Sequence, residues 1–254
     1  SANLSMLFLE YSFLERFDKA AQSGFRGVEF MFPYDYDIDV LKEKLQTNQL
    51  EHTLHNLPAG DWAAGERGIA CIPGREEEFR DGVAAAVRYA KGLGNKKINC
   101  LVGKTPAGFS AEQIQQTLVE NLRYAANMLA KEDILLLIEP INHFDIPGFH
   151  LTGTQQALAL IDSVGSNNIK IQYDIYHMQR MEGELTQTMT TWANKIGHLQ
   201  IADNPRRGEP GTGEINYDFI FKFIDKSGYD GWVGCEYKPL TTTEAGLSWI
   251  NQYR

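Results

Sequence analysis

Apolar residues fall into two alternating patterns along the chain: short unbroken runs, and longer stretches in which apolar positions return every three or four residues. The clearest run is ILLLIEP from Ile134 to Pro140, five aliphatic residues delivered into a glutamate and a proline. A run without alternation reads as a strand buried on both faces, as in parallel sheets, and Pro140 stops the ladder from continuing. Seven other segments read as strands: Asn3 to Leu7, Val28 to Phe30, Glu51 to His55, Lys97 to Val102, Ile169 to Asp174, Ile196 to Ile201 and Trp232 to Glu236. Between them lie stretches of helical spacing: Ser12 to Ser23, Asp39 to Asn48, Arg75 to Leu93, Ser110 to about Lys131, Thr154 to Val164, Leu185 to Asn194, Tyr217 to Ser227 and Thr242 to Ile250. Ser12 and Ser110 are N-cap candidates, and Gly24 and the GLG after Lys91 are helix stops.

Strand and helix alternate eight times with no composition shift or linker between halves. This pattern predicts an α/β fold, a single (β/α)8 barrel over residues 1–254. A two-domain doubly wound arrangement would want a phosphate-binding glycine turn after the first strand, and none is there. One connection breaks the pattern. The loop NLPAGDWAAGERGIACIPG is too long and glycine-rich for an ordinary strand-to-helix turn, so it reads as functional or mobile, a candidate lid.

Composition narrows the function. The hydrophobic share of 43% and charged share of 22% are those of a globular protein, and no run of apolar residues is long enough to span a membrane. No targeting segment is evident at the N-terminus, so a cytoplasmic setting is expected. A formal charge of -9 argues against nucleic acid as a partner and for a small molecule. Cys71, Cys100 and Cys235 are far apart and form no CxxC, which suggests core thiols in a reducing compartment.

In such a barrel the site is built where the strands end. Strand five ends on Glu139, six on Asp174 and eight on Glu236, and seven carries Gln200. Three carboxylates and an amide at one mouth cannot all stay uncompensated, and an all-oxygen set suits Mg²⁺ or Mn²⁺ rather than a thiolate zinc site. Taken singly, each acid reads more readily as a salt-bridged or capping carboxylate, and Gln200 as a glutamine bonded to backbone; four on consecutive strands shift the reading toward a site. His177, on the way out of strand six, is a candidate metal or substrate ligand, or a hydrogen-bonded loop residue. His55 ends strand three and is expected to face the mouth, while His52 and His198 read as structural. After strand seven, Arg206 and Arg207 follow a proline, and one of them could clamp a carboxylate; Arg67 in the long loop is a rival. GLGNKK and GKT do not complete a nucleotide-binding motif.

The segments SANLSMLF, GVEFMFPYDYD, NLPAGDWAAGERG, IEPIN, YDIYHMQRMEGELT, GHLQIADNPRRGEPGTGEINY and GWVGCEYKP run from end to end of the chain. Through them it resembles the hydroxypyruvate isomerase family, one of the xylose-isomerase-like barrels that also include ketose 3-epimerases and endonuclease IV. The resemblance implies that Glu139 and Glu236 are the proton donor and acceptor pair. It also implies that Glu139, Asp174, Gln200 and Glu236 form the divalent-metal shell where one is bound. His177 and Arg206 match positions that bind substrate in the epimerases. Gln200 departs from relatives that carry histidine there, and the histidine-rich zinc set of endonuclease IV is not reproduced. The implied reaction moves a proton between adjacent carbons of a hydroxy-keto acid and needs a base, an acid and an electrophile for the enediolate. Related barrels often associate, so a homo-oligomer is compatible with the resemblance, though the chain shows no interface signature.

Overall fold

In a computed structural model describing residues 1–253, eight parallel strands close into a barrel in sequence order. They are β1 (Ala2–Asn3), β2 (Gly27–Glu29), β3 (Glu51–Asn56), β4 (Lys97–Cys100), β5 (Leu135–Ile138), β6 (Ile169–Asp174), β7 (Ile196–Ile201) and β8 (Val233–Cys235). Closure is made by β1, which pairs Ala2 with Val28 of β2 on one side and with Cys235 of β8 on the other.

The unbroken aliphatic runs are buried as their composition predicts: Leu136, Leu137 and Ile138 are fully enclosed between the barrel interior and the helical layer. At roughly 1.5–3 kcal/mol per buried aliphatic side chain, this core supplies the surplus against which polar groups inside the barrel are held.

The helices are α1 (Glu15–Gln22), α2 (Ile38–Thr47), α3 (Glu76–Leu93), α4 (Ala111–Ala130), α5 (Thr154–Val164), α6 (Ile175–Met181), α7 (Leu185–Thr191), α8 (Tyr217–Ser227) and α9 (Thr243–Gly246). Helix α3 buries Phe79, Val83, Ala86, Ala90 and Leu93 on one stripe and stops at Gly94, whose φ of 75° is cheap only without a Cβ. Helix α4 begins with the expected Ser110, which forms a capping box with Gln113.

Several boundaries move. The first strand ends at Asn3 rather than Leu7, because the Met6 and Leu7 amides turn back onto the Asn3 carbonyl. Ser12 does not cap α1, which starts at Glu15 behind Leu14; its hydroxyl bonds Glu15 instead. The closing helix continues past α9 as 3₁₀ turns over Leu247–Tyr253. The long loop after β3 is anchored rather than loose at its base. Gly68 packs so closely that a Cβ there would lie 1.8 Å from the Leu101 carbonyl oxygen, Ile69, Ala70 and Cys71 are buried, and the tip around Asp61 to Ala64 is exposed.

Candidate active site

Polar residues inside buried strands are the exception in a barrel, and here they gather near the strands' C-terminal ends. Asn3, Glu29, Asn99, Gln172, Asp174, His198 and Gln200 lie on strands, Glu139 and Glu236 lie one residue past the ends of β5 and β8, and all are buried. Each needs a partner, since burying an unpaired polar or charged group costs several kcal/mol.

Both glutamates are held in the same way. Glu139 Oε2 accepts hydrogen bonds from Asn99 Nδ2 (2.9 Å) and Gln172 Nε2 (2.9 Å). Glu236 Oε2 accepts from Asn3 Nδ2 (2.8 Å) and Gln200 Nε2 (2.7 Å). A pair of carboxamides thus fixes one oxygen of each carboxyl and leaves Oε1 available. Glu139 Oε1 lies 3.8 Å from His177 Nε2, and Glu236 Oε1 accepts from Arg207 Nη2 at 2.5 Å.

Asp174 does two things at once. Its Oδ1 caps α6, accepting from the Tyr176 and His177 amides at 2.8 and 3.4 Å. Its Oδ2 has no hydrogen-bond partner, and stands 3.5 Å from His177 Nε2 and 3.7 Å from Arg207 Nη2. The His177 tautomer follows from its other nitrogen. Nδ1 accepts from Asn142 Nδ2 at 2.6 Å, and the orientation of that amide is set because its Oδ1 accepts from the Asp145 amide. The ring hydrogen therefore sits on Nε2, aimed between Asp174 and Glu139.

A cavity of about 300 Å³ opens over these groups, lined by Glu139, His177, Arg207 and Glu236 at its polar end and by Met6, Met31, Trp62 and Ile141 elsewhere. Arg67, its guanidinium 3.8 Å over the Trp62 ring, and the exposed Lys238 lie on the same wall system.

Two expected residues fall elsewhere. His55 does not face the mouth. The β2–β3 register slips between Val28 and Glu29, inserting one extra residue in β3, and this reverses the side to which His55 points. It stacks on His52, bonds Asn95, and is held near a pKa of about 4 by burial; Asn56 reaches the cavity in its place. Arg206 is exposed and does not line the cavity, whereas Arg207 does. The cause is local: Arg207 adopts φ 56°, a turn that sends consecutive side chains to different sides.

The oxygen shell expected for a divalent ion does not form from Glu139, Asp174, Gln200 and Glu236. Gln200 Oε1 is engaged by Gln172 Nε2 at 2.7 Å, and its amide nitrogen, a donor, is what faces Glu236. Among the described residues one group, Glu139, Asp174 and His177, brings three ligand atoms within 4.8 Å of one another. Without an ion, the His177 nitrogen of that group carries the ring hydrogen, and Arg207 is the neighbouring cation. Asp174 Oδ2 is buried without a hydrogen-bond partner, and with Glu139 and His177 it is the group that could hold a divalent ion here.

Burial, with the fields of Glu236 and Asp174, pushes the Glu139 carboxyl well above its usual range. Burial raises Glu236 to about 8 although Arg207 opposes it, and Asp174 to about 6. His177 is pushed well down, by burial first and then by Arg207 and Arg180, so it is neutral. Both glutamates are held up by burial, and Glu236, whose rise Arg207 opposes most, is the easier of the two to ionise; with a fixed cation and a neutral N–H donor beside them, the pair is suited to moving a proton.

The xylose isomerase-like TIM barrel family matches residues 17–253. The chain is 84% identical over 254 residues to hydroxypyruvate isomerase of Escherichia coli K12, covering 100% of this chain and 98% of that one. It is 45% identical over 253 residues to 2-oxo-tetronate isomerase of Cupriavidus necator, covering 100% and 97%. A crystal structure described as an AP endonuclease, family 2, from Brucella melitensis superposes with a TM-score of 0.97 at 46% identity, covering 100% of this chain and 98% of that one.

Proposed function

Because the chain belongs to the xylose isomerase-like TIM barrel family, we propose that it is an aldose-ketose isomerase that interconverts hydroxypyruvate and 2-hydroxy-3-oxopropanoate. The observation that carries the chemistry is the pair of buried glutamates, each fixed through one oxygen by two carboxamides and each lining the same cavity. The relative at 84% identity carries the choice of substrate.

The Arg207 hydrogen bond favours the ionised form of Glu236, so Glu236 takes the proton from C3 of hydroxypyruvate. The electron pair moves into the C2 carbonyl and gives an enediolate. Arg207 and the His177 Nε2–H serve its oxygens as donors, in the manner of an oxyanion hole. Glu139, kept protonated, gives its proton to C2 while the proton on the C3 oxygen passes to the C2 oxygen and the aldehyde forms. The glutamate pair ends with its proton on the other member and is reset by exchange with water. The substrate carboxylate, repelled by the glutamates, is turned toward Arg67 and Lys238 on the outer wall.

The four-carbon 2-oxo-tetronate is the second reading, supported by the 45% identical relative, and differs in how many carbons the pocket admits. A phosphodiesterase reading has less support, since the formal charge of -9 opposes a phosphate backbone. The deciding assay gives hydroxypyruvate to the protein supplied with Mg²⁺ or Mn²⁺ and traps the aldehyde with an NADH-dependent reductase. Turnover on the order of 1–10³ s⁻¹ is expected. Glu236→Gln should abolish exchange of the substrate C3 hydrogens with solvent, and Glu139→Gln should abolish conversion to the aldehyde; C3 exchange retained in Glu236→Gln, or conversion retained in Glu139→Gln, refutes the mechanism.

A further inference from the structure

We propose that Glu29, which does not reach the cavity, is a positioning residue for Glu236, acting through the two carboxamides that hold it. The inference rests on the isomerase reading above and extends it by one layer into the barrel.

Glu29 is fully buried on β2 and accepts from three side chains: His198 Nε2 at 2.9 Å on Oε2, and Gln200 Nε2 at 2.7 Å and Asn3 Nδ2 at 3.2 Å on Oε1. The same two amide nitrogens donate to Glu236 Oε2. Each amide nitrogen has only two hydrogens, so one goes to Glu29 and the other to Glu236. An amide can turn its oxygen where its nitrogen was at little steric cost, and an oxygen facing Glu236 would repel the ionised form that takes the proton. The Glu29 carboxylate, which only accepts, removes that choice for both amides at once. Gln172 completes the constraint by donating to Gln200 Oε1.

The arrangement is particular to Glu236. Around Glu139 the amides of Asn99 and Gln172 also donate, yet Asn99 Oδ1 and Gln172 Oε1 have no hydrogen-bond partner. The barrel also makes room for the Glu29 carboxylate. Gly234 on β8 lies against it, and a Cβ at that position would stand 2.4 Å from Glu29 Oε2. A glycine in the middle of a short strand gives up packing and backbone entropy, and here what it admits is a buried carboxylate. A merely structural Glu29–His198 pair would account for the burial but not for the shared amide donors.

The test is Glu29→Gln, which keeps the shape but can present an N–H to the amides and so releases their orientation. kcat on hydroxypyruvate is expected to fall by about 10²-fold, the scale of a small misplacement of a reacting group, with KM within about threefold. Gly234→Ala, which displaces the carboxylate without removing its charge, is expected to give the same split and stands in if Glu29→Gln does not fold. Unchanged kcat in a folded variant, or a drop confined to melting temperature, makes Glu29 structural and overturns the proposal. A crystal structure of Glu29→Gln supplies a readout independent of turnover. A rotated Glu236 carboxyl or turned Gln200 amide is expected, and an unmoved network overturns the inference. Wild type inactive on hydroxypyruvate and on its four-carbon homologue would instead sink the isomerase reading, leaving that structural readout to decide the role of Glu29.

Discussion

At the scale of single residues, the site turns on which of two adjacent arginines faces inward. Arg207 Nη2 reaches Glu236 Oε1 and approaches Asp174 Oδ2, while Arg206 points to solvent. Arg207→Ala should lower kcat/KM by about 10²–10³-fold, the scale of losing one donor aimed at developing negative charge, and Arg206→Ala should leave it within about twofold. Steady-state kinetics of both variants check this, and equal losses would mean that the loop presents either arginine. The residues alone narrowed the clamp to this pair and to Arg67, and the resemblance pointed to Arg206; the structure turns Arg207 inward instead, a choice that depends on the backbone turning through φ 56° at a residue that is not glycine. The acids were easier to find: a carboxylate ending an apolar run is visible in one dimension. The supporting polar residues left a weaker trace, each standing two positions before a site residue, as Gln172 precedes Asp174 and His198 precedes Gln200. That period-two signal would have marked the inward-facing layer.

At the scale of elements, the loop that carries Arg207 is built around one carboxylate. Asp203 Oδ1 accepts from the amides of Asn204 and Ile215, and Oδ2 from those of Gly211 and Gly213, so four backbone donors are gathered on one side chain. Gly213 must lack a side chain, since a Cβ would lie 2.0 Å from the Asn204 carbonyl oxygen. Asp203→Ala should free this loop. Limited trypsin digestion should then cut after Arg206 or Arg207 much faster than in wild type, and kcat/KM should fall with it; resistance equal to wild type would show that the loop is held by other contacts. The β-α alternation was legible because each strand is a dense apolar run and each long helix an amphipathic stripe. What escaped were elements without such a signal. Helix α6 is only Ile175–Met181, started by the Asp174 cap, and the one-residue slip in β3 that turns His55 outward is set by pairing with β2.

For the whole molecule, the buried acids oppose the core that encloses them. A carboxyl raised by burial binds its proton more tightly in the folded than in the unfolded protein. The stability linked to it is complete below the unfolded pKa near 4.5 and is lost progressively as pH rises toward the folded value. Glu139→Gln removes that loss. Its amide oxygen can still accept from Asn99 and Gln172, so the variant keeps the local hydrogen bonds while losing the ionisation. The inactive variant should therefore be more stable than wild type at pH 8, with a higher Tm. The two melting curves should converge as pH falls to about 4, where wild-type Glu139 is protonated in both states. Calorimetry across that range reads the difference directly, and a variant less stable at pH 8 would mean that ionised Glu139 is stabilised by Arg207 more than burial penalises it. The barrel's size lets it carry this cost: cooperative closure from β1 to β8 spreads the burden of the acid pair over the core, and the closing strand itself delivers Asn3 to Glu236.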